Sequence, residues 1–254
     1  MTFLRSLLFN LYFYLLTTVM ALAGLPLLAM PWRWTMRYSR LWTQLVLLGL
    51  KLICRLDYRI VGRDRLPDGP CLIACKHQSA WETMVMPNIA LRFASCVMKR
   101  ELLFLPVFGW YLRHSGQIPI DRRGGAKALK DMLAKAKETI EDGRPIVIFP
   151  EGTRTAPGQQ RPYHVGVAAL YKSLKVPVVP VALNSGLFWS RQAFHKRAGT
   201  ITVEFLPPIP PGLSRDAFMT ELRDRIESTS QRLAEQEGHT TAPSQPQRQG
   251  LPSS

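Results

Sequence analysis

The chain has 254 residues, with 33 Lys and Arg against 18 Asp and Glu, and a formal charge of +15. That length fits one sizeable core plus an added segment, and excludes two full catalytic domains. The excess charge seeks an anionic partner, but no polybasic tract or nucleic-acid motif is present, which argues against nucleic acid and for anionic lipid or an acidic carrier protein.

From Ser6 to Trp32 no side chain is charged. A run of about 20 apolar residues can cross a bilayer as one helix, and Gly24 and Pro26 near its end also permit a bent or re-entrant hairpin. Arg33, Arg37 and Arg40 follow. Their bias places the rest of the chain in the cytoplasm, at the inner membrane. Trp32 and Trp34 beside these arginines read as an interfacial belt rather than as part of a buried core helix. Leu41 to Leu50 is too short to span, so it is expected in the interface or packed on the first helix. Ala21-Leu22-Ala23 resembles a signal-peptidase site, but apolar character continues to Met30. The four cysteines, Cys54, Cys71, Cys75 and Cys96, form no CxxC pair and no zinc spacing. They read as reduced, buried thiols of a cytosolic core, with Cys71 and Cys75 on the same side of a strand.

Strands are expected over Asp57 to Val61, Cys71 to Cys75, Phe93 to Met98, Gln117 to Ile120, Ile146 to Phe149, Val178 to Leu183 and Ile201 to Phe205. Helices are expected from Ala80 towards Ala90 with Ser79 as cap, over Ala126 to Asp142, Val165 to Leu174, and Ser214 to Glu235. Leu102 to Leu112 is apolar and aromatic but interrupted by Pro106 and Gly109. Beyond Gln236 the composition predicts disorder. The organisation is therefore 1–54 membrane-anchoring helices, 55–235 an α/β domain, and 236–254 a tail. Alternation of strands and helices predicts a mixed, largely parallel sheet flanked by helices.

Two blocks carry chemistry. In Lys76-His77-Gln78-Ser79-Ala80-Trp81-Glu82 a histidine stands at a strand end, and an acid follows on the first turn of a helix. A neutral imidazole can take a hydroxyl proton, and a carboxylate on its second ring nitrogen fixes the tautomer and stabilises the imidazolium. The pair at i and i+5 meets only if His77 precedes the helix. No GxSxG elbow or catalytic-cysteine signature appears, so direct attack by an alcohol substrate is expected. No metal or other cofactor is expected. In Phe149-Pro150-Glu151-Gly152-Thr153-Arg154 a glycine frees the backbone, and an arginine offers a planar fork to phosphate oxygens. Glu151 reads as a positioning group, paired with an arginine or touching a substrate hydroxyl. Lys99-Arg100 and Asp121-Arg122-Arg123 follow other strand ends. Ligands gather at one such edge, so these cations are expected to converge on one phosphate. A base, an anion clamp and a greasy front end predict acyl transfer to a phosphorylated alcohol at a membrane.

In order and spacing these blocks resemble the glycerophospholipid acyltransferase family. His77 to Glu82 is similar to its first motif, Gly116-Gln117-Ile118-Pro119-Ile120-Asp121-Arg122 to its second, Phe149 to Arg154 to its third, and Val176-Pro177-Val178-Val179-Pro180-Val181 to its fourth. The resemblance covers about residues 56 to 210. It implies a glycerol-3-phosphate acyltransferase-like fold with an N-terminal two-helix anchor. The implied donor is acyl-CoA or acyl carrier protein, and the implied acceptor is lysophosphatidate. His77 would be the base and Glu82 its orienting acid. Lys99, Arg122 and Arg154 would hold the phosphate, while Glu151, Gly152 and Thr153 would belong to the acceptor site. Two residues depart from the family pattern. Glu82 replaces the usual Asp, and His164 stands where relatives often carry Lys. A related acyltransferase using another lyso-lipid, such as a lyso-aminolipid, and a non-catalytic lipid-binding membrane protein are the competing readings.

Overall fold

The computed structural model describes residues 1–90, 93–121, 124–191 and 193–238. Two helices lead, α1 (Thr2–Ala23) and α2 (Trp32–Gly49), joined through a short 3-10 turn at Leu25–Ala29. A π-helical turn, Leu50–Cys54, ends α2. Then follow β1 (Leu56–Val61), β2 (Leu72–Cys75), α3 (Trp81–Ile89), β3 (Ser95–Lys99), α4 (Phe108–His114), β4 (Ile118–Ile120) and α5 (Gly125–Glu141). The chain continues through β5 (Ile146–Ile148), α6 (Val165–Leu174), β6 (Val178–Leu183), α7 (Ser185–Phe188), β7 (Gly199–Phe205) and α8 (Arg215–Gln236).

The seven strands form one sheet in the order β1-β7-β6-β2-β5-β3-β4. Only β6 and β7 pair antiparallel; the other ladders are parallel. The mixed, largely parallel sheet expected from the sequence is thus the one observed. Its central strand β2 is buried on both faces, as in parallel sheets generally. Alternate side chains of β2 enter two cores. Ile73 and Cys75 meet Trp81, Val85 and Met86 of α3 and residues of α1 and α2. Leu72 and Ala74 meet α5, α6 and α8 through Met132, Val167, Phe218 and Leu222. Local chemistry ends the helices where the pattern stops. Ser214 Oγ accepts the Ala217 N–H at the start of α8, Gly143 takes φ +74 just beyond α5, and Lys175 takes a left-handed turn after α6.

The N-terminal helices are fastened to this domain. Near the start of α1, Ser6 Oγ accepts the Lys196 N–H at 3.0 Å, Asn10 Oδ1 accepts from Lys196 Nζ, and Phe9 packs edge-on against Trp189. Near its end, the Tyr111 hydroxyl of α4 donates to the Ala21 carbonyl at 2.7 Å. Between them Tyr12 and Tyr38 tie α1 to α2. The stretch Leu41 to Leu50 forms the second half of α2 and the start of the π-helical turn, and it packs on α1, one of the two placements expected. The outer face of α1 stays open, with Leu4, Leu8, Leu11 and Leu15 exposed.

All four cysteines are free and buried. Burial pushes the Cys71 thiol up to about 12. Cys75 is raised by burial first, then by the Glu82 and Glu151 carboxylates. Since the thiolate is the reactive form, Cys71 and Cys75 are expected to stay unmodified by a thiol reagent at pH 8 in the native protein. Both should react once it is unfolded, with mass spectrometry reading the modified positions. Rapid labelling of either in the native state would contradict this burial.

Candidate active site

Strands β2, β3, β5 and β6 run parallel, so their C-terminal ends lie along one edge of the sheet. The first motif leaves β2, Lys99 ends β3, the third motif leaves β5, and Asn184-Ser185 leaves β6. Sequence blocks far apart in the chain therefore meet at the edge where α/β sheets bind ligands.

His77 and Glu82 meet there. Glu82 sits on the first turn of α3 and is fully buried, and its Oε1 lies 3.0 Å from His77 Nδ1. The same oxygen accepts the Gln78 and Ser79 N–H groups at 2.7 and 2.5 Å, and Oε2 accepts the Ser185 hydroxyl at 2.8 Å. Four donors thus fix this carboxylate. With Nδ1 turned to Glu82, Nε2 is the ring nitrogen left for a substrate proton. The imidazole stacks on Phe149 with ring centroids 4.3 Å apart. Its main chain is held on both sides: the N–H donates to Glu151 Oε2 at 2.7 Å, and the carbonyl accepts from Thr155 N at 2.8 Å. The expected Ser79 cap is modified. Ala80 is the N-cap residue, while Ser79 Oγ accepts the Trp81 N–H at 3.1 Å.

The third motif turns sharply after β5. Gly152 has φ +63, where a Cβ is strained, and its N–H donates to the Phe149 carbonyl. Glu151 differs from the expectation. It is buried, pairs with no arginine among the described residues, and does not line the cavity; its Oε1 lies 2.7 Å from Lys76 Nζ. The reason is the sharp turn, which sends Glu151 inward behind His77 while Gly152, Thr153 and Arg154 continue along the cavity wall. Burial raises the Glu151 carboxyl above its ordinary range, against the opposing pull of Lys76 and the His77 N–H.

A cavity of about 1210 Å³ opens in front of His77. Its walls include Thr17, Met20 and Leu22 of α1, Met36 and Trp42 of α2, and Met98, Leu129 and Met132 deeper in the domain. Lys99, Gly152, Thr153 and Arg154 also line it. The side chains of Arg154 and Lys99 make no hydrogen bond or ion pair with other described residues, so both are open to a ligand anion. Arg122 and Arg123 lie outside the described residues. Arg191 and His164 line the same cavity. Arg191 was not singled out by the sequence, where no motif surrounds it. Lys76, Ser185 and Phe149 were also missed as site residues. Lys76 carried a weak signal as a charged neighbour of His77 at the end of an apolar strand; Ser185 carried none.

Fold and cavity together define an α/β enzyme with a histidine–carboxylate pair set against a largely apolar cavity. The family model described as Acyltransferase matches residues 57–184. The 1-acyl-sn-glycerol-3-phosphate acyltransferase of Pseudomonas aeruginosa is 34% identical over 195 residues, 76% of each chain. That of Saccharomyces cerevisiae is 29% identical over 188 residues, covering 71% of this chain and 62% of its own. The crystal structure of a 1-acyl-sn-glycerophosphate acyltransferase from Thermotoga maritima superposes with a TM-score of 0.76 at 19% identity, covering 95% of this chain and all of that one. The chain belongs to the acyltransferase family.

Proposed function

We propose that the chain transfers a fatty acyl group from a thioester, acyl-CoA or acyl carrier protein, to the 2-hydroxyl of 1-acyl-sn-glycerol-3-phosphate. The products are phosphatidate and the free thiol. One observation carries this reading: the His77–Glu82 pair faces an apolar cavity that also holds Arg154 and Lys99. His77 Nε2 takes the hydroxyl proton as the oxygen attacks the thioester carbonyl, and Glu82 stabilises the imidazolium that forms. The C–S bond then breaks, and the departing sulfur takes the proton from the imidazolium. Arg154 and Lys99, with Arg122, hold the acceptor phosphate. The apolar walls take the acyl chains. The names of the relatives support the acceptor, and the basic balance of the chain suits both donors, which are acidic.

The enzyme works at a membrane, in this reading the inner membrane with the domain in the cytoplasm. Helix α1 is long and apolar enough to cross a membrane, yet it is tied to the domain near both ends. α1 therefore lies along the interface with its exposed leucines in lipid, and the cavity, walled in part by α1 and α2, opens beside it.

The test uses purified protein with labelled acyl donors of several lengths, offered lysophosphatidate or a lyso-aminolipid as acceptor. Labelled phosphatidate is expected, with little product from the zwitterionic acceptor. Equal transfer to both acceptors would overturn the phosphate assignment, and donor hydrolysis without transfer would overturn the reaction.

A further inference from the structure

Lys76, Glu151, Tyr163 and Glu227 form a buried polar group of which the acyl transfer just described uses no member. Their exposures are 2, 1, 7 and 8%. Lys76 Nζ lies 2.7 Å from Glu151 Oε1 and 2.7 Å from Glu227 Oε2, and the Tyr163 hydroxyl donates to Glu227 Oε1 at 2.9 Å. Two carboxylates thus share one ammonium. Buried ion pairs are a poor source of stability, because apolar residues of similar volume often do as well or better. What the group does reach is the base.

The route follows the alternation of β2. Continued past Cys75, it turns Lys76 to the α5–α6–α8 layer, where Glu227 of α8 waits, and His77 to the α3 layer, where Glu82 waits. Glu151 bridges the two layers at the sheet edge. One of its oxygens meets Lys76, and the other accepts the His77 N–H at 2.7 Å. We propose that Tyr163 and Glu227, acting through Lys76, are positioning residues. They orient the Glu151 carboxylate that holds the His77 main chain, and so keep the imidazole in register with Glu82. The helix α8, far from the cavity in sequence, thereby becomes part of the active site's support. This inference rests on the acyl-transfer reading above.

Glu227→Gln is the decisive variant. It keeps the shape, keeps an acceptor for Tyr163, and leaves Lys76 paired one to one with Glu151. Small displacements of a reacting group cost rate steeply. A fall in kcat of about tenfold is expected, with KM for donor and acceptor changed by less than about twofold and Tm nearly unchanged. Glu151→Gln should cost more. The double variant should lose no more than Glu151→Gln alone, because both changes act on the same bond. A normal kcat in Glu227→Gln, or losses that multiply in the double variant, would overturn the proposal. Should Glu227→Gln fail to fold, Tyr163→Phe reads the same chain from its far end: lower kcat at constant KM supports the proposal, and an unchanged kcat overturns it. Wild-type protein is assayed alongside. A silent wild type overturns the acyl-transfer reading and this inference with it, whereas an active wild type with an indifferent Glu227→Gln overturns the positioning role alone.

Discussion

His77→Ala is expected to lower the rate of acyl transfer by about 10²–10⁴-fold, the range set by loss of a positioned general base. The fold should survive. The main-chain bonds of His77 to Glu151 and Thr155 do not involve the ring, and alanine keeps both. The ring's stacking on Phe149 is lost, at a site that is already part of the cavity wall. The change leaves Glu82 with its three other donors, so no buried carboxylate is orphaned. A circular-dichroism melt beside the transfer assay separates lost chemistry from lost structure. A folded variant with near-normal turnover would exclude His77 as the base.

Arg154→Ala should act on the acceptor instead. A charge-assisted bond to phosphate contributes roughly 1.5–3 kcal/mol, or about 10–100-fold in binding. The KM for lysophosphatidate should rise by about that factor, while KM for the thioester stays nearly constant. Arg154→Lys should recover part of the loss by charge alone and miss the planar fork. Steady-state kinetics with each substrate varied in turn reads the split. Equal increases in both KM values would remove Arg154 from the phosphate.

Much of this was legible in the sequence, for physical reasons that differ along the chain. The spans Val165–Leu174 and Val178–Leu183 come out as expected, since helical periodicity and a run of β-branched residues are local signals. The His77–Glu82 pair was legible because five positions across a strand end and one helical turn bring the two together. The α4 helix was not, because Pro106 and Gly109 read as breakers. Pro106 in fact lies before its first turn, and Gly109 lets the helix come close to Leu103, whose carbonyl oxygen would stand 2.1 Å from a Cβ there. The strand order was not legible either, since the β1–β7 ladder joins Leu56 to Gly199 across most of the domain. The Lys76–Glu227 bond spans 151 positions, and no periodicity or motif reports a contact of that range. Glu151 was expected to pair with an arginine or to touch a substrate hydroxyl, and it does neither among the described residues. The lysine it does meet is brought by another strand.

The proposed placement of α1, fastened along the domain with its outer face in lipid, changes how the protein counts its substrate. With α1 in lipid as proposed, the cavity that it helps to wall collects its acceptor from the leaflet around it, as a two-dimensional solute. Velocity should then follow the mole fraction of lysophosphatidate at the surface. Spreading a fixed amount of it through more inert detergent or neutral lipid would slow turnover at constant bulk concentration, the kinetic behaviour known as surface dilution.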